Sequence, residues 1–153
     1  MINITQNQLR QLYEIDDYLW LEETIKLLKT KDLDNLDLDN LIEELESLGR
    51  NELNKVRSLL KQIIIHILLL EYWQDEYDRN CSHWEGEIIA FRYDLNHSLT
   101  TSLKNKLILE LEEIYQLSRK LVSKKARLSS NLFPENCPYS LEQLLDDNWY
   151  PEK

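Results

Sequence analysis

The sequence predicts an all-α fold, a compact bundle of four to six helices, and three observations carry that prediction. Apolar residues recur at spacings of three and four along most of the chain, the period of an amphipathic helix. Only 2 glycines and 3 prolines occur in 153 residues, too few for many strands joined by tight turns. Hydrophobic residues make up 42% and charged residues 30%, a globular balance and not a disordered one. The length predicts one domain spanning residues 1–153.

The first helix is expected from about Gln8 to Lys29, with Leu9, Leu12, Ile15, Leu19, Ile25 and Leu28 along its apolar stripe. A polar connection, Thr30 to Asn35, follows. Asp37 or Asp39 can cap the next helix, and Glu43 and Glu44 suit its first turns. Leu41, Leu45 and Leu48 form one face, which the pattern marks as buried. Gly49 is read as a break or kink. The same spacing carries on through Val56, Leu59, Ile63, His66 and Leu70, which leaves a continuous helix open.

Between Lys61 and Glu71 the chain is apolar almost all round, so this helix is central and ends near Tyr72. Ser82 followed by Glu85 is a capping-box pattern opening a helix to about Leu95. Thr100 or Thr101 caps a fifth helix to about Leu121, with Leu103, Leu107, Leu111, Ile114 and Leu117 as its stripe. Ser129 to Pro138 is turn-rich. After this Pro-containing loop, Ser140 with Gln143 forms a second capping box, opening a short C-terminal helix to about Asp147.

The net charge of −10 disfavours phosphate backbones, so no nucleic acid is expected as a partner and a basic protein is favoured. The longest apolar run, Ile63 to Leu70, holds eight residues with His66 among them, too short to span a bilayer. No membrane partner is therefore expected. Cys81 and Cys137 make no disulfide framework, and no secretory signal opens the sequence. These readings predict a cytoplasmic protein.

Several strings taken together resemble a known family. They are Tyr13-Glu14-x-Asp16-x-Tyr18-x-Trp20 and Asn40 through Arg50 (NLIEELESLGR). The stretch His66-Ile-Leu-Leu-Leu-Glu-Tyr-Trp73 follows, then His83-Trp84-Glu85-x-Glu87-Ile88 with Phe91-Arg92. The most distinctive is the ending, Phe133-Pro-Glu-x-Cys-Pro-Tyr-Ser-Leu-Glu-Gln-Leu-Leu145. In order, and over nearly the whole chain, these resemble domain of unknown function 29. The resemblance implies a bacterial source, with wording similar to cyanobacterial members, and a compact helical fold. It implies no activity and no catalytic residues.

Four constellations invite chemistry. Glu43, Glu46 and His66, joined by His83, are the candidate ligands of a divalent metal, since helical bundles hold metals between inward carboxylates and histidines. The Glu-x-x-His pairs of di-iron bundles are missing, so a structural role is the expected one and no cofactor is assigned. Trp73, Trp84 and Arg92 are candidate binding residues for a pocket or interface hot spot; core packing is the competing reading, with Arg92 pairing Glu43 or Glu46. Cys81 lies two residues before His83 near an expected helix start, a cysteine–histidine arrangement with no oxyanion hole or third member. The basic run Arg119 to Arg127 reads as a solvated helix end. The expectation is a non-enzymatic interaction or regulatory protein. A metal-binding bundle or metal-dependent enzyme, and an antitoxin-like acidic inhibitor of a basic protein, are the alternatives.

Overall fold

A computed structural model describes residues 4–152. Six α-helices and no strand occur among the described residues, so the protein is all-α. The helices are α1 (Gln6–Ile15), α2 (Asp17–Lys29), α3 (Leu38–Tyr72), α4 (Tyr77–Ser98), α5 (Thr101–Ala126) and α6 (Leu141–Leu145). The chain forms two compact units, Met1–Asn51 and Glu52–Lys153. The boundary falls within α3, whose residues belong partly to each.

In the first unit the single helix expected over Gln8–Lys29 is two helices. Asp16 leaves helical geometry at φ −152°, ψ 88°, and its carboxylate accepts from the Leu19 N–H at 3.0 Å. Aspartate competes for the backbone in this way, which is why it caps helices. The break resets the helical phase. Trp20 and Thr24 are therefore buried in α2, while Ile15 is 80% exposed and Leu19, Ile25 and Leu28 are also exposed. α1 opens on a full capping box made by Thr5 and Gln8. α2 ends with Lys31 at φ 59°, where Asp32 N–H reaches Leu27 O and Lys31 N–H reaches Leu28 O. That paired closure normally uses glycine. In this glycine-poor chain a lysine takes the left-handed position, and its charge suits the helix C-terminus.

α3 runs unbroken through Gly49, the continuous helix that the spacing left open beside a break or kink. Glycine inside a helix costs only about 0.5–1 kcal/mol relative to alanine, and the intact hydrogen-bonded register outweighs it. A second correction concerns Leu45 and Leu48. Both are 60% exposed, so helical spacing marked an apolar face there but not what lies against it.

The second unit is a helical bundle and holds most of the buried apolar residues. Every residue of α3 from Ile63 to Leu70 is buried, as the all-round apolar run predicts. α4 presents Trp84, Ile88, Arg92 and Leu95 to the core and α5 presents Leu107, Ile114, Tyr115, Ser118, Val122 and Ala126. α4 starts five residues before the Ser82/Glu85 pattern, which sits inside the helix and caps nothing. A 3₁₀ turn at Gln74–Glu76 delivers the chain straight into it. Thr100 caps α5 as expected, accepting from Leu103 N–H. α5 ends at Ala126, five residues beyond the expected Leu121, with Arg127 left-handed at φ 54°. Leu117, expected on its buried stripe, is 48% exposed.

The tail straps onto this bundle. Phe133, Tyr139, Leu141 and Leu144 are all buried, each such burial being worth about 1.5–3 kcal/mol. Polar ties fix its path. Tyr115 donates to Pro134 O at 2.6 Å, and Glu112 accepts from Cys137 N–H at 3.0 Å. The Ser140–Gln143 capping box forms as the sequence predicts.

Candidate functional site

A buried carboxylate organises the first unit. Asp37 precedes α3 and is fully buried. Its oxygens accept from Trp20 Nε1 at 3.2 Å and Asn40 Nδ2 at 2.7 Å, and Arg10 Nε lies 3.7 Å away. A buried carboxylate is tolerable only with such partners. Tyr13 packs edge-on to Trp20 at 5.0 Å and donates to Glu44 at 2.6 Å, and that bond holds its phenol up at about 12. These contacts tie α1 and α2 to the first turns of α3.

Little apolar material is buried around this node. Leu9, Trp20 and Leu36 are the buried hydrophobic residues among those described in the first unit. Large apolar side chains lie outside instead. On α3, Leu38, Ile42, Leu45 and Leu48 are 51, 51, 60 and 60% exposed at spacings that place them along one helix face. On α2, Tyr18, Leu21, Ile25 and Leu28 make a second exposed stripe. Around them the unit carries twelve Asp and Glu against five Lys and Arg, a net −7 of the chain's −10.

The four candidate metal ligands are not gathered together. Glu43 and Glu46 are exposed and paired to Arg50 at 3.0 and 3.8 Å. His66 is on the same unbroken helix, 20 residues beyond Glu46, and more than about five helical turns cannot be bridged by one ion. His66 is buried, with Nδ1 2.7 Å from Gln62 O and its ring against Phe91. Burial is the main force pushing its pKa down. A carbonyl oxygen can only accept, so Nδ1 carries the proton of that bond. His83 is exposed on α4. No group of three His, Cys, Asp or Glu suited to a metal occurs among the described residues.

The aromatic candidates pack in the second unit. Trp73 and Trp84 stack at 5.7 Å, with Trp84 buried. Arg92 is fully buried but forms no ion pair among the described residues, contrary to the expected bond with Glu43 or Glu46. Its Nε donates to Leu144 O at 2.8 Å and Nη2 to Gln143 O at 3.3 Å, while its guanidinium lies 5.2 Å from the Tyr150 ring centre. Asn96 adds a bond to Leu145 O at 3.1 Å. Carbonyls at a helix end carry partial negative charge and need donors, so the α6 C-terminus takes the place of a carboxylate. Sequence alone does not reveal a backbone partner 51 residues away.

Cys81 and His83 lie two apart inside α4, and residues at that separation do not face each other on a helix. The Cys137 thiol is pushed up by burial and bonds Tyr139 O. That disfavours the Cys137 thiolate, the reactive form of a cysteine. A cleft of about 500 Å³ between α3 and α5 is lined by Arg57, Lys61, Glu110 and Glu113 among others. There Arg57 grips Glu110 through Nε at 2.9 Å and through Nη2, and its Nη1 donates to Asn54 at 3.2 Å.

The model of the family described as "Domain of unknown function DUF29" matches residues 12–150. The chain belongs to the DUF29 family. The match takes in both units and the strap, and so covers every string on which the resemblance rests. No curated protein and no solved structure matches the chain. No helix in the described residues of this DUF29 chain is long and apolar enough to cross a membrane.

Proposed function

We propose that this DUF29 protein is a non-enzymatic interaction protein whose first unit docks a basic, amphipathic segment of another protein. The observation that supports this is the pair of exposed apolar stripes on α2 and α3, set in a unit of net charge −7. Among the described residues, eleven of the eighteen exposed large hydrophobic side chains belong to this unit. Exposed apolar faces with polar rims are the usual mark of a protein interface. A second copy would bring like charge against like charge, whereas a basic segment complements the rim and is steered to it. Helix-in-groove recognition uses anchors at the spacing seen on α3.

The experiment is capture of the tagged chain from its native cells, with Ile42→Glu/Leu45→Glu compared to the parent. A stoichiometric basic partner is expected on the parent and absent from the double variant, whose circular dichroism is unchanged because both positions are exposed. Weakening by added salt is also expected. A partner retained by the double variant would refute this docking surface.

A further inference from the structure

A groove on the second unit points to a different ligand. It has a volume of about 370 Å³ and is lined by Gln116, Arg119, Lys120, Ser123 and Lys124 of α5 and by Ser130 of the following 3₁₀ turn. The five α5 positions follow the spacing of one helix face. The lining therefore holds three cations, two hydroxyls and an amide, with no carboxylate, in a chain of net charge −10. Glu112, one turn earlier on that face, is engaged by the Cys137 N–H at 3.0 Å and the Gln116 amide at 2.8 Å. Among the described residues Arg119, Lys120 and Lys124 form no ion pair. Arg119 is held in place by its Nη2, which donates to Ser130 O at 2.8 Å, while its enclosed Nε meets no acceptor.

Charges of one sign this close repel. An anion in the groove relieves that repulsion. We propose that this groove binds a small, soluble molecule carrying a phosphate group, with Arg119 and Lys120 on its oxygens and Lys124 closing the far side. The basic run is then more than the solvated helix end that its sequence suggests. A guanidinium fixed by a backbone carbonyl is already oriented for two oxygens. The opening is local and the remaining surface acidic, which suits a compact anion and disfavours a polyanionic strand.

The test is calorimetric titration of the full chain with inorganic pyrophosphate at constant ionic strength. Lys120→Gln/Lys124→Gln is the comparison variant. Both lysines are exposed, so the fold is retained and a melting curve verifies it. A saturable isotherm is expected, weakened by at least about tenfold in the variant. Heats that never saturate up to about 10 mM pyrophosphate would overturn the proposal, as would equal affinity in the variant. Binding to phosphatidic acid vesicles or to an RNA oligonucleotide, with no saturable response to pyrophosphate, would also overturn it.

Discussion

Arg92→Ala is the sharpest test of how the tail is held. The substitution leaves Leu144 O without a donor, takes one of two donors from Gln143 O, which keeps Asp146 N–H, and removes the cation beside Tyr150. The one buried carbonyl left without a partner costs about 1–3 kcal/mol, and the lost cation–π contact adds about 0.5–2 kcal/mol. Relief from burying a charge offsets part of this. The net loss is expected at about 2–4 kcal/mol. Arg92→Met loses the same bonds but keeps most of the volume, so its loss is expected to be smaller than that of Arg92→Ala by about 1 kcal/mol. Urea unfolding monitored by circular dichroism measures both, with the slope compared to confirm that only stability has changed. Amide exchange should quicken first in α6. A loss under about 0.5 kcal/mol for Arg92→Ala would refute the assignment of this arginine as the anchor of the strap.

Other perturbations separate buried from exposed positions. Ile63→Ala should cost about 2–5 kcal/mol and Leu45→Ala under about 0.5 kcal/mol in the same unfolding assay, because Ile63 is fully buried and Leu45 is 60% exposed. Gly49→Ala should stabilise by about 0.5–1 kcal/mol, since α3 is helical there and no atom lies within 4 Å of the added Cβ; thermal unfolding reads it. For His66, burial lowers the folded-state pKa. The unfolded chain therefore takes up the proton first as pH falls. The contribution of His66 is fully present above its ordinary value of about 6.5 and is lost as pH drops from there towards the folded value. The stability difference between the parent and His66→Gln should shrink as pH falls below about 7, and a constant difference would contradict a folded-state pKa lowered by burial.

Much of the architecture was legible because its signals are local. Thr100 and Ser140 cap through their own side chains, and the run Ile63 to Leu70 is buried whichever way its helix turns. The errors have local causes of another kind. Asp16 can sit within a helix or end one, and here the bond to Leu19 N–H decides for an end. Gly49 carries a small penalty that a long helix absorbs. Spacing along Leu41, Leu45 and Leu48 identified an apolar face correctly. It could not say whether the same chain covers that face, and in this structure two of the three residues face solvent. The anchoring of Arg92 on α6 carbonyls was invisible because backbone acceptors leave no trace in composition. The basic run was visible, but the groove it lines with Ser130 depends on how the chain turns after Arg127.

Native mass spectrometry of the protein purified from its own cells, at low salt, tests the proposed role most directly. A one-to-one complex with a basic protein, absent when Ile42 and Leu45 are replaced by glutamate, is the predicted result. A chain that flies alone, or only as copies of itself, would contradict it.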